Sequence, residues 1–128
     1  MSKNEKKRIL VVDDAAFTRN MLKKIINNTT YTEVVGEAEN GEEAIKMYKQ
    51  LKPDLVTMDL VMPIKGGIET IEDLMKLDNN ATIICVSALG QEALVLEAAK
   101  KGAKDFIQKP FKNDQVKDVL DRILVNNK

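Results

Sequence analysis

Pro53-Asp54-Leu55-Val56-Thr57-Met58-Asp59-Leu60-Val61-Met62-Pro63 is a short apolar run, rich in β-formers, that ends in one carboxylate. A proline and Gly66-Gly67 follow soon after Asp59. The pattern predicts a strand buried on both faces that delivers an acidic side chain to a loop at its C-terminal end. A carboxylate in that position costs free energy unless something pairs with it. Four other apolar runs bear on what meets it. Arg8 to Val12 ends in Asp13-Asp14, Thr82 to Ser87 ends in a hydroxyl, and Lys104 to Gln108 is followed by Lys109-Pro110. The run from Glu33 to Ala38 ends in Glu37-Ala38 and brings no obvious functional group.

Helical patterns separate these runs. Phe17, Met21 and Ile25 recur every four residues, with Leu22 and Ile26 widening the stripe. Asn40-Gly41-Glu42-Glu43 has the form of a capped helix start, and Ala44, Ile45, Tyr48 and Leu51 form an inner face that Pro53 terminates. Gly66-Gly67 opens a third helix with Ile68, Ile71, Leu74 and Met75 inward. Gln91 to Lys101 is a fourth, stopped at Gly102. A fifth, with Asn113 as its expected cap, presents Val116, Val119, Leu120, Ile123 and Leu124 at i, i+3, i+4, i+7 and i+8. Five strand-helix units predict a doubly wound α/β fold with a five-stranded parallel sheet. The second and fifth strands carry Glu33, Glu37, Lys104, Asp105 and Gln108, which suits sheet edges.

The length of 128 residues suits one domain, expected over residues 8–128 behind a polar tail at 1–7. Nothing in the sequence after the last helix reads as a DNA-binding or catalytic output domain. Lys plus Arg equals Asp plus Glu at 20 each, so no global field favours nucleic acid or an acidic membrane. No apolar run has the length of a membrane-spanning helix, and none reads as a secretion signal. Cys85, alone in an apolar run, reads as a small buried hydrophobe in a reducing cytosol. The absence of histidine excludes a histidine base, a histidine metal ligand and a self-contained phosphohistidine.

Ligands in open parallel sheets bind beyond the carboxyl ends of the strands, where Asp13, Asp14, Asp59, Ser87 and Lys109 all fall. Converging carboxylates repel one another, and a hard divalent cation such as Mg²⁺ relieves that. A carboxylate nucleophile, Mg²⁺, a lysine and a hydroxyl together suit a phosphoryl group. Taken singly, each residue also suits helix capping or an ordinary surface charge. Five on one edge are harder to ascribe to capping.

The pieces Ile9-Leu10-Val11-Val12-Asp13-Asp14, Asp54 to Asp59 with Met62-Pro63, Ser87-Ala88, and Gly102 to Phe111 resemble the receiver domain of bacterial two-component response regulators. Asp13-Asp14-Ala15-Ala16-Phe17 and Ser87-Ala88-Leu89-Gly90-Gln91 are most similar to the chemotaxis members of that family. The resemblance implies a flavodoxin-like fold with strand order 2-1-3-4-5. It implies Asp59 as phosphoacceptor, and Mg²⁺ held by Asp14, Asp59 and the Val61 backbone carbonyl, with Asp13 acting mainly through water. It also implies Lys109 and Ser87 as contacts to the phosphoryl group, a cis Lys109-Pro110 bond, and Phe106 as a switch aromatic that turns inward when Ser87 moves.

The implied protein is a cytoplasmic, monomeric switch, not an enzyme beyond its own phosphorylation and dephosphorylation. Its implied partners are a chemotaxis-type histidine kinase, a flagellar motor-switch protein and a phosphatase. A phosphorelay intermediate or phosphate sink is the alternative reading. A Mg²⁺-dependent aspartyl-phosphate phosphatase fits less well, because Leu60 and Val61 follow Asp59 where such enzymes commonly place a second acid. Leu94-Val95-Leu96 cannot all face one sheet, so with Val95 inward beside Ala98 and Ala99, Leu94 or Leu96 is exposed. That places a partner face around Leu94, Leu96, Lys101, Lys104 and Phe106. Two positions depart from the family pattern: Gly66 stands where an acidic cap is common, and Val61 where many relatives carry a polar residue.

Overall fold

The computed structural model describes residues 5–125; residues 1–4 of the expected tail and residues 126–128 lie outside the described residues. Five strands alternate with five helices: β1 (Lys7–Val12), α1 (Ala16–Asn27), β2 (Thr32–Ala38), α2 (Gly41–Leu51), β3 (Leu55–Asp59), α3 (Gly67–Leu77), β4 (Ile83–Ser87), α4 (Glu92–Lys101), β5 (Asp105–Gln108) and α5 (Asn113–Leu120), which continues as a π-helical turn, Asp121–Val125. The strands form one parallel sheet in the order β2-β1-β3-β4-β5. The fold is therefore the flavodoxin-like arrangement, with β2 and β5 at the edges.

Alternation along each strand divides the core in two. Leu10, Val12, Val56, Met58, Ile83 and Cys85 face α2, α3 and α4, whose Ala44, Tyr48, Ile71, Leu74 and Ala98 complete one layer. Ile9, Val11, Leu55, Ile84, Val86 and Ile107 face α1 and α5, which supply Leu22, Ile25, Ile26, Val116, Val119 and Leu120. The three central strands are buried on both faces, which is why they read as continuous apolar runs. Tyr48 buries its ring in the first layer and donates its hydroxyl to Asp78 at 2.8 Å.

Three local expectations are corrected. The inner stripe of α1 is Leu22, Ile25 and Ile26; Phe17, in the first turn after the loop that leaves β1, is 76% exposed and packs in neither core layer. Ala99 of α4 is exposed, and only Ala98 of that pair packs inward. Asn113 is not the cap of α5 but its first residue. Lys112 holds the cap position, and its N–H donates to the Gln115 side chain at 2.9 Å. A lysine side chain has no acceptor, so only this half of a capping box exists.

The other helix boundaries follow their sequence signals. Asn40 caps α2 by accepting from the Glu43 N–H at 3.0 Å, while Glu43 reaches back to the Glu39 N–H at 3.0 Å. Lys52, before Pro53, ends α2 in the left-handed region. Gly102 ends α4 at φ 129°, a conformation that favours glycine. The Lys109-Pro110 bond is cis.

Candidate functional site

The C-terminal ends of β1, β3, β4 and β5 place Asp13, Asp59, Ser87 and Lys109 around one depression. Asp13 is 1% and Asp59 5% exposed, while Asp14 projects into solvent. One oxygen from each of the three carboxylates lies within 4.8 Å of the others. Lys109 Nζ stands 3.2 Å from Asp13 Oδ2 and 3.6 Å from Asp59 Oδ1. Ser87 is buried, and its carbonyl accepts the Lys109 N–H at 2.7 Å, so the hydroxyl and the ammonium are tied to one backbone junction.

Each group is held by its own element. Asp13 Oδ1 accepts from the Ala15 N–H at 2.9 Å, which turns the chain from β1 into α1 and leaves Asp14 facing outward. Gly67 lets α3 start directly against the end of β3. A Cβ there would lie 2.3 Å from the Asp59 carbonyl oxygen and 2.7 Å from Leu60 Cα, and the Gly67 N–H donates to the Leu60 carbonyl at 3.1 Å. Gly66 is under no such constraint; the nearest atom to a Cβ there is 3.7 Å away.

The end of β2, which carried no obvious role in the sequence, buttresses the site. Glu37 accepts from Arg19 Nε at 2.9 Å and from Lys23 at 2.8 Å, and Arg19 Nη1 donates to the Asp13 carbonyl at 2.7 Å. The hydrogen bond from Lys23, with help from Arg19, holds Glu37 below the usual carboxylate range despite partial desolvation. The signal for this contact was present but weak: an acid at the end of an edge strand and two cations four residues apart on the preceding helix.

The electrostatics of the cluster are unbalanced. Burial first, then the charge of Asp13, push Asp59 up to about 7; Lys109 and the Val61 N–H pull it down, and Asp14 adds to the rise. Asp13 Oδ2 is buried and takes no aligned hydrogen bond, although Lys109 lies near it. Three carboxylates against one ammonium leave excess negative charge in a partly dry site. An all-oxygen donor set of this kind fits a hard divalent cation, Mg²⁺.

The response regulator receiver domain matches residues 9–121. The chain belongs to that family. It is 57% identical over 117 residues to the chemotaxis protein CheY of Thermotoga maritima, covering 91% of this chain and 97% of that protein. It is 49% identical over 117 residues to CheY of Bacillus subtilis, covering 91% of this chain and 97% of that one. Among solved structures, the CheX-CheY-BeF₃-Mg²⁺ complex from Borrelia burgdorferi matches with a TM-score of 0.88 at 36% identity, over 94% of this chain and 91% of that chain. The acidic triad of this receiver is thus a Mg²⁺ site of the kind its family carries.

The remaining predicted residues lie beside the triad rather than in it. Val61 is 54% exposed on the β3–α3 loop. Phe106 is 47% exposed on β5 and borders a cavity of about 330 Å³ that Ser87, Ala88, Val95 and Leu96 also line. Leu94 leans inward with Val95 against the core, and Leu96 is 67% exposed. Lys101 pairs with Glu72 at 2.8 Å, and Lys104 is exposed. No helix among the described residues is long and apolar enough to cross a membrane.

Proposed function

We propose that this receiver is a cytoplasmic chemotaxis switch, phosphorylated on Asp59 by a partner histidine kinase, whose phosphorylated state binds a flagellar motor-switch protein. The observation that carries the reading is the convergence of buried Asp59 with Asp13, Asp14, Lys109 and Ser87 on one sheet edge of a chain with CheY relatives. Asp59, Asp14 and the Val61 carbonyl would hold Mg²⁺, with Asp13 behind them through water. Bound Mg²⁺ supplies charge neutralisation for the carboxylates and for the oxygens of the incoming phosphoryl group.

The chain's own residues do the rest. Asp59, as its carboxylate, attacks the phosphorus of a phosphohistidine; its O–P bond forms as the N–P bond breaks, and the imidazole takes a proton from water. Lys109 follows the developing charge from Asp59 to the phosphoryl oxygens and keeps Asp13 neutralised. The Ser87 hydroxyl turns to donate to a phosphoryl oxygen. That movement opens the cavity beside it to the Phe106 ring, which lies at its border. Phosphorylation then shifts a two-state population through one hydroxyl and one aromatic side chain.

The output face comprises Leu96 and Phe106, with Lys101 and Lys104 at its margin. The Borrelia relative is bound to CheX, so a protein of that kind is a further partner to test. The experiment is a binding assay, with and without beryllofluoride plus Mg²⁺, against a motor-switch peptide and against a histidine phosphotransfer domain. Activated binding to the peptide supports the switch. Return of phosphate to the second domain without peptide binding supports a relay or phosphate sink instead.

A further inference from the structure

We propose that Lys65 is a positioning residue of the site: it clamps the β3–α3 loop and thereby sets the geometry of Val61. This rests on the assignment of Val61 to the metal shell. The loop is closed at its base by the Gly67 N–H to Leu60 carbonyl bond, 3.1 Å. Between those anchors the chain makes a tight turn, with the Lys65 N–H donating to the Pro63 carbonyl at 2.7 Å. Ile64, at the apex, sits at φ 69°. A β-branched residue resists this left-handed conformation, and Ile64 is 75% exposed, so no burial of its side chain offsets the cost. Something else must hold the turn.

Lys65 is the residue that does so. Its carbonyl accepts the Gly41 N–H at 3.1 Å, which ties the loop to the start of α2. Its stem lies directly on Gly41, where a Cβ would meet Lys65 Cγ at 2.8 Å and Cβ at 2.9 Å. Its ammonium pairs with Asp73 on α3, and Glu69 and Glu42 lie close enough to strengthen its charged form further. One side chain therefore spans from the loop to two helices, and it is only 20% exposed. Val61 lies inside the clamped segment. Its N–H acts on the Asp59 carboxylate to favour the charged form, so the loop's shape governs both that interaction and the direction of the Val61 carbonyl.

The test uses Lys65→Met, which keeps the stem and removes the ammonium, and Asp73→Asn. In metal-free protein, amide hydrogen exchange within 61–65 should rise roughly tenfold in each variant. Mg²⁺ affinity by calorimetry should weaken roughly threefold or more, and the double variant should be no worse than either single one. Adding Ile64→Gly to Lys65→Met, which relieves the left-handed conformation, should restore much of the affinity. Unchanged loop exchange and unchanged Mg²⁺ affinity, with only a lower melting temperature, would reduce Lys65 to a structural surface pair and overturn the proposal. The exchange readout needs neither metal nor phosphate, so its failure is distinguishable from a failure of Asp59 to accept a phosphoryl group.

Discussion

Lys109 Nζ lies nearer to Asp13, at 3.2 Å, than the 3.6 Å that separates it from Asp59. The lysine is thus shared before any phosphoryl group arrives, and it does not cancel the charge on Asp59. Lys109→Met should push the Asp59 carboxyl further above about 7 in metal-free protein. Carbon-13 detected titration of the Asp59 carboxyl checks this, and a downward shift would contradict it.

The same imbalance makes stability depend on pH. Asp59 titrates near 7 when folded and near its ordinary 3.8 when unfolded, so the folded state binds the proton more tightly. This contribution is fully present below pH ~4 and is lost as pH rises through about 7, a change on the order of a few kcal/mol. Asp59→Asn should abolish that slope and raise the metal-free stability at pH 8. Urea unfolding at several pH values, with and without Mg²⁺, measures both effects.

Val61 exposes more than half its surface beside Asp59, and its branched apolar side chain should hinder the water that hydrolyses an acyl phosphate. Val61→Asn should speed loss of the phosphoryl group severalfold. Equal decay rates for the two radiolabelled phosphoproteins would refute the steric account.

The two adjacent glycines should behave differently. Gly67→Ala places a Cβ against the Asp59 carbonyl and should cost about 1–3 kcal/mol, with weaker Mg²⁺ binding. Gly66→Asp meets only an ordinary van der Waals contact with the Leu60 carbonyl at φ −74° and supplies an N-cap, so it should be neutral or stabilising by a few tenths of a kcal/mol. Thermal unfolding of both variants is the check.

Leu96→Asp should weaken binding of the phosphorylated protein to a motor-switch peptide by roughly tenfold, about 1.4 kcal/mol, without altering phosphorylation. Leu94→Asp should instead lower stability, since Leu94 packs against the core. Binding and melting curves on the same two proteins separate the roles.

The sheet was legible because its central strands are apolar on both faces and stop at polar residues on one edge. That rule brought Asp13, Asp59, Ser87 and Lys109 together without coordinates. What it could not show were contacts set by tertiary geometry. Glu37 looked idle because its partners, Arg19 and Lys23, come from the preceding helix. Phe17 fits the stripe of α1 by spacing alone, yet at the first turn of the helix it packs in neither core layer. Asn113 is a better cap than Lys112 by type, yet the turn after Pro110 begins the helix at Asn113. The clamp at Lys65 depends on a left-handed Ile64 that no pattern of residue types announces.

The most direct test of the switch account is intact-mass and peptide analysis after incubation with a small acyl phosphate donor, with and without Mg²⁺. One phosphoryl group should be added only with Mg²⁺, map to Asp59, and be absent from Asp59→Asn. Mg²⁺-independent transfer, or transfer to a residue other than Asp59, would contradict the account.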